Sequence, residues 1–332
     1  MRPGVRTGWF PYGANFGGLR SPRENAAMTC SVLVNNYNYA QYVCEAVNSI
    51  LAQSVVPDEI IIVDDGSTDG SPELLHDQFG HLPSVKIITG ENNGQLASFN
   101  KGFLHSRGDI VFFLDSDDLY EKNYIEKALS FYRKNPSCDF LISGRKEIGE
   151  VEQTVLSYKT DTNLGFSVIS TLQSKHWEGG PTSTLSMKRW VLNAFMPLSL
   201  EAFWRTRADD CLVYGASIVS AKKYYLAQAL VFYRIHSTNH FYGRNFDSDH
   251  AYKYSLHRTQ LIDHISSKTC ICKNSVLNMI KKELKSSSPH AFFDKFKVYF
   301  KIIINADKYL TWKMAKLTFC LRLWCMYFVK RV

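Results

Sequence analysis

Ile60-Ile61-Ile62-Val63-Asp64-Asp65-Gly66-Ser67-Thr68-Asp69 sends four aliphatic residues straight into a polar turn. A run this short, apolar and β-branched reads as a strand buried on both faces. Gly66 lets the chain turn sharply afterwards, and the hydroxyls beyond it suit the cap of a following helix. An Asp-rich turn with a helix cap explains residues 67–69 well enough. It does not explain why both Asp64 and Asp65 follow the aliphatic run directly.

Working outward, the same grammar repeats. Residues 30–34, 85–88 and 110–114 are further short apolar runs, and 40–53, 71–79 and 94–106 carry helical spacing. Strands alternating with helices imply βαβ units, hence an α/β fold with a mostly parallel central sheet and helices on both faces. In such sheets functional groups collect beyond the carboxyl ends of the strands, where the strand order reverses. Three polar clusters fall there: 35–38, 64–69 and 115–118. Past residue 140 the pattern mixes, with strands expected near 139–147, 183–187 and 224–233 and a helix starting close to Asp209. From about 247 the spacing is mostly helical, which gives a helical C-terminal extension. The organisation expected is a flexible leader over 1–28, an α/β domain over 29–245 and a basic, aromatic helical region over 246–332. Within the α/β domain the regular alternation covers 29–135 and the mixed pattern 136–245.

Charge is concentrated at the ends. The net charge of +8 owes most to residues 289–332, where nine Lys/Arg face only Asp294 and Asp307, and to the Arg-rich start. The middle is slightly acidic, which argues against a nucleic-acid groove. No apolar signal segment opens the chain, so a cytoplasmic protein with reduced thiols is expected from its eight cysteines. Cys270 and Cys272 are too closely spaced and too solitary for a zinc site. The apolar stretch 317–329 is short of the roughly 20 residues a spanning helix needs and contains Arg322. It suits an interfacial helix, and a basic segment of this kind suits peripheral contact with the inner face of the plasma membrane. A helical pair packed on the catalytic domain is the plainer reading of 289–332.

Phe112-Phe113-Leu114-Asp115-Ser116-Asp117-Asp118 places three carboxylates within four residues at a strand end. They would repel one another in an apolar site. A divalent cation such as Mg²⁺ or Mn²⁺, which takes one or two carboxylates plus substrate phosphates, would make sense of them. A solvated acidic turn before a helix is the alternative.

Taken with these clusters, Ser31-Val32-Leu33-Val34-Asn35-Asn36-Tyr37-Asn38, Asn93-Gly94-Gln95, Asn100-Lys101-Gly102 and Arg107-Gly108-Asp109 make the chain resemble the inverting family 2 glycosyltransferases, which have the GT-A fold. The resemblance runs through about 29–135, and it implies that 29–245 is a catalytic domain with 29–135 its nucleotide-sugar-binding part and 136–245 its acceptor side. It implies a nucleotide-sugar donor, commonly a UDP-sugar, and a carbohydrate or lipid-linked acceptor in surface polysaccharide or lipopolysaccharide synthesis. It also implies roles. Asn35, Tyr37, Asp64, Asp65, Asn100, Asp115 and Ser116 would contact the donor, with Tyr37 against the base and Asp65 at the base edge. Asp115 and Asp117 would form the Asp-X-Asp motif that reaches the metal, with His236 near the diphosphate and Asp118 assisting. Phe99 stands where many members carry Arg. Arg207-Ala208-Asp209-Asp210 resembles the family's Glu-Asp site, so Asp210 is the expected catalytic base and Asp209 its neighbour; an acidic helix start would look the same. Thr182 and Ser183 sit in a loop resembling the acceptor side. Trp177 and Trp204 could stack on sugars, although buried aromatics are the commoner explanation.

Other classes fit less well. A nucleotidyltransferase would want a Gly-rich basic loop after the first strand, and a dinucleotide oxidoreductase would want G-x-G-x-x-G; the chain has Asn-Asn-Tyr-Asn there. A non-catalytic sugar-nucleotide-binding or membrane-associated scaffold of the same fold is the remaining alternative.

Overall fold

Alternate residues along the first strands leave the sheet on opposite faces, and both faces are apolar. In β1 (Cys30–Asn36), Val32 and Val34 join one buried cluster and Leu33 the other. Ile60 and Ile62 of β2 (Glu59–Asp64) part in the same way from Ile61 and Val63. The continuous aliphatic runs are therefore explained by burial on two sides. One face is covered by α1 (Ala40–Leu51) and α2 (Ser71–Phe79). β3 (Val85–Thr89) forms the outer edge, and α3 (Gln95–His105) covers the opposite face. The computed structural model describes residues 28–237, 239, 247–269 and 276–305. The expected leader, Met28 apart, lies outside these residues, as do Cys270, Cys272 and the apolar stretch 317–329.

Strand β4 (Ile110–Asp115) pairs with β1 on the side away from β2, so the order runs β3-β2-β1-β4, all parallel. The order reverses between β1 and β4. Their register puts Asn35 beside Asp115 at the carboxyl ends, which makes this the crevice where ligands of open α/β sheets bind. A two-residue strand β5 (Leu119–Tyr120) and α4 (Tyr124–Lys134) follow.

The second half extends the same sheet. β6 (Phe140–Gly149) pairs with the short β7 (Gln153–Val155). β8 (Thr162–Gly165), α5 (Val168–Ser174), β9 (Leu185–Lys188) and α6 (Arg189–Asn193) lead to α7 (Asp209–Ile218) and the long β10 (Lys223–Ile235). β9 runs antiparallel between β4 and β6, and β10 lies parallel beyond β6, giving ten strands in one mixed sheet among the described residues. The expected strands near 139–147, 183–187 and 224–233 are β6, β9 and β10. Three helices follow, α8 (Ser248–Lys268), α9 (Val276–Ser286) and α10 (Pro289–Asn305). Leu261, Ile262 and Ile265 of α8 enter the core shared with α7, and Phe292 and Tyr299 of α10 pack with Ile169 of α5. The described part of 289–332 thus lies against the catalytic body along one side. Among the described residues no helix is long and apolar enough to cross a membrane. Cys30, Cys44, Cys138 and Cys211 are free thiols.

Candidate active site

A cleft of about 560 Å³ opens beyond the carboxyl ends of β1, β2 and β4. It is walled by Asn35, Tyr37, Asp65, Asp115, Ser116 and Asp117 from the parallel half, and by Trp177, Thr182 and Asp209 from the other half. Tyr37 is 44% exposed at the rim. Residues from five separate stretches of the sequence therefore meet in one place.

The parallel side is built by backbone as much as by side chains. The Asp65 carboxylate accepts the N–H groups of Asn93 (2.9 Å) and Gly94 (2.6 Å) at the start of α3. Burial raises its pKa, and those two donors offset part of the rise. Gly94 has φ +93°, and a β-carbon there would collide with the backbone of Arg205, so glycine permits the 94 and 205 loops to touch. Asp64 faces the other way. It is fully buried, accepts Asn36 Nδ2 at 2.7 Å and the Ser67 hydroxyl at 2.7 Å, and does not line the cleft. Its place is under the turn rather than in the wall.

The acidic strand end is tightly held. Asp115 Oδ1 accepts Asn35 Nδ2 at 2.5 Å and Gln95 Nε2 at 3.0 Å. Burial, then the charge of Asp117, pushes its pKa up to about 6. Asp118 is buried beneath, accepting the Ser183 hydroxyl (2.6 Å) and the Arg234 backbone N–H (2.8 Å). Burial and the two neighbouring carboxylates raise Asp118 well above the usual range. Ser183 also accepts the Asp115 backbone N–H at 3.1 Å, so it works under the acidic loop, while Thr182 next to it faces the cleft. Asp117 Oδ2 lies 3.1 Å from His236 Nε2 and 3.4 Å from Asn239 Nδ2.

Across the cleft, Arg207 takes a left-handed backbone (φ +56°), a conformation that a non-glycine residue holds only at a cost. It precedes α7, whose first turn carries Asp209 and Asp210. Asp209 lines the cleft, and burial followed by the charge of Asp210 pushes its pKa up to about 7. Asp210 lies behind it, 1% exposed, and neither of its oxygens accepts a hydrogen bond among the described residues. Arg207 approaches Asp210 Oδ1 at 3.6 Å and lies over the Tyr254 ring at 4.7 Å. Arg258 and the Trp177 indole also help to stabilise the Asp210 charge, which burial on balance disfavours.

Several residues do not go where the motifs suggest. Asn100 is buried away from the cleft, donating to the Leu198 carbonyl (2.8 Å) and Glu201 (2.7 Å) and accepting the Leu198 N–H (2.9 Å). Trp204 is a core residue, edge-on to Tyr254 at 5.5 Å. Gln95 and Arg207 had no role assigned from the sequence. Gln95 spans the cleft floor: its amide donates to Asp115 and its carbonyl accepts the Ala208 N–H at 2.8 Å. Its only signal in the sequence is its place beside Gly94.

A family model described as Glycosyl transferase family 2 matches residues 31–194, which contain every cleft element from β1 to β9. Over that stretch the chain is similar to that family. An uncharacterized glycosyltransferase of Nostoc sp. is 33% identical over 64% of this chain and 66% of its own length. The chondroitin synthase of Escherichia coli is 34% identical over 36% of this chain and 17% of its own. The chain thus spans just under two thirds of the first relative and a much smaller part of the second. Among solved structures, S. aureus TarS 1–349 in complex with UDP-GlcNAc superimposes with a TM-score of 0.55 at 18% identity, covering 83% of each chain. That likeness is one of fold, the GT-A type. Asp209, Asp210 and His236 lie beyond the stretch matched by the family model, so their part in this chain rests on geometry.

No three His, Cys, Asp or Glu side chains are placed together to hold a metal ion among the described residues. The donor set nevertheless fits a hard cation of the Mg²⁺ or Mn²⁺ kind. Asp115 and Asp117 bring two carboxylates to an open wall, with His236 held against Asp117 at 3.1 Å, and the like-charge penalty on Asp115 is offset only in part by Asn35 and Gln95. Such cations usually take only one or two carboxylates and complete their shell with phosphate oxygens and water.

Proposed function

We propose that this chain is an inverting glycosyltransferase that moves a hexosyl or hexosaminyl unit from a nucleotide sugar, with UDP as the nucleotide, onto a carbohydrate or lipid-linked acceptor during surface polysaccharide synthesis. The observation that carries the reading is the meeting of Asp65, Asp115 and Asp117 with the Asp209–Asp210 pair across one cleft at the β1/β4 crevice. The relatives named for polysaccharide synthesis and the UDP-GlcNAc complex of TarS support the choice of donor and setting.

In this reading Tyr37 and Asp65 hold the base, and Asn35, Asp115 and Ser116 hold the ribose and diphosphate end. Asp115, Asp117 and His236 would hold Mg²⁺ or Mn²⁺, which when bound supplies Lewis-acid stabilisation of the departing diphosphate. Thr182 and Trp177 face the acceptor, and Ser183 steadies the loop beneath them. The Asp209–Asp210 pair takes the proton from the attacking hydroxyl. The two titrate as a unit, with Asp209 presented to the cleft and Asp210, the base expected from the sequence, directly behind. Positioned base catalysis of this kind contributes about 10²–10⁴ in rate.

The first test is thermal-shift binding of nucleoside diphosphates with and without Mn²⁺ or Mg²⁺. Stabilisation by UDP that depends on the cation is expected. A folded protein that responds to no nucleotide would sink the donor-site reading and favour a scaffold. Asp210→Asn and Asp209→Asn should each lose about 10²-fold or more in transfer while still binding UDP. Near-normal turnover in both variants would remove the pair from the mechanism.

A further inference from the structure

Two buried lysines outside the cleft converge on the residue next to Trp177. Lys223, at the start of β10, is fully buried; its ammonium donates to the Glu178 carbonyl (2.8 Å), the Val213 carbonyl (3.2 Å) and the Ser217 hydroxyl (2.8 Å). Lys295, on α10, is 2% exposed; it lies 3.2 Å from Glu178 Oε2 and donates to the Phe166 carbonyl at 2.6 Å. One lysine thus grips the backbone of Glu178 and the other its side chain. Trp177, one residue earlier, lines the acceptor side of the cleft, and the Trp177 ring closes on Gly179, where a β-carbon would press against it.

An arrangement of this kind is expensive as a stabiliser. Burial drives the Lys223 ammonium down to about 7. A buried ion pair seldom gives more stability than apolar residues of the same volume, whereas removing one partner is damaging. What it does fix is direction, because each ammonium has several acceptors set at defined angles.

Resting on the glycosyltransferase reading above, we propose that Lys295 and Lys223 are positioning residues for the acceptor side of the cleft, holding the 175–181 loop through Glu178 so that Trp177 presents a fixed face to the acceptor sugar. The C-terminal helix α10 is then part of the acceptor site, although it touches no substrate and follows Trp177 by more than a hundred residues. Its apolar contacts through Phe292 and Tyr299 seat the helix, and Lys295 passes that placement to the loop.

The test uses the full chain and Lys295→Met, which keeps the length of the side chain and removes the charge. With UDP-GlcNAc as donor probe and a panel of methyl glycosides as acceptors, the variant should show an acceptor KM raised about tenfold, with donor KM and kcat changed less than twofold. Trp177→Ala should give the same acceptor defect, and adding Lys295→Met to it should make matters little worse, because both act on one contact. A uniform loss in kcat with both KM values unchanged, or additive effects of the two substitutions, would overturn the proposal. Hydrogen exchange of the 175–181 amides provides a readout that needs no turnover. Protection should fall there in Lys295→Met and stay unchanged along β1, β2 and β4; unchanged protection in the loop overturns the proposal whether or not the protein transfers sugar. Absence of UDP binding in the unsubstituted chain, by contrast, would count against the donor-site reading alone.

Discussion

Asp209 illustrates how a site residue can work against the fold that holds it. Its folded pKa of about 7 lies above the value of about 4 expected for an unfolded chain, so between those limits the folded state binds more protons. Stability contributed by this group is therefore lost as pH rises from about 4 to 7, and catalytic readiness grows over the same interval. Transfer should climb with pH through about 7. Asp209→Asn should raise Tm at pH 8 by a few degrees, the shift that about 1 kcal/mol gives in a protein of this size, with the gain shrinking at pH 5. A fall in Tm at both pH values would mean that the charge is well solvated. Gln95 makes the opposite case, a neutral residue that ties two charged loops together. Losing its hydrogen bond to a carboxylate is worth about 1.5–3 kcal/mol. Gln95→Ala should thus cost about tenfold or more in kcat/KM with little change in fold, measured by steady-state kinetics beside circular dichroism.

At the scale of elements, β4 both delivers the acidic motif and fills the core. Phe113 is fully buried and edge-to-face with Phe99 at 5.4 Å, two residues before Asp115. Phe113→Ala should destabilise by about 3–5 kcal/mol, read from the urea midpoint, and should loosen Asp115 as well. Phe99, at the position where the family resemblance implied Arg, is thus used here for packing. Strands such as β2 and β4 were legible because burial on two faces leaves only apolar residues, and because each run ends abruptly in carboxylates. The division of labour within the clusters was not legible. Asp64 and Asp65 are adjacent and alike in sequence, yet alternation sends one under the turn and the other to the cleft wall. Asn100 and Ser183 carry motif-like side chains that the fold spends on loop hydrogen bonds. The short strands β5, β7 and β8 have two to four residues each, too few for a period to register. Arg207 gave no warning because its left-handed backbone is imposed by the packing around it.

On the molecular scale, α10 has two characters. Its inner side carries Ala291, Phe292, Lys295, Tyr299 and Ile303, and its outer side exposes Phe293, Phe300 and Ile304 beside Lys297 and Lys301. That outer stripe of aromatics and lysines is the described portion of the segment whose sequence suits peripheral membrane contact; residues 306–332 lie outside the described residues. Lys297→Glu with Lys301→Glu should weaken sedimentation with anionic phospholipid vesicles several-fold and leave UDP binding intact, since each lysine near such a surface contributes about 1 kcal/mol. Equal partitioning would leave the stripe without that role. The sheet carries a different consequence. β9 comes from the later half of the sheet-forming sequence, yet it is stitched between β4 and β6 and shares its ladder with both. A chimaera that swaps 29–135 for the equivalent stretch of a relative inherits a foreign seam along β4, with Val111 and Met187 now obliged to match a stranger. On the donor reading proposed above, single substitutions around Tyr37 and Asp65 are therefore a better route to a changed donor preference than grafting the half that contains them.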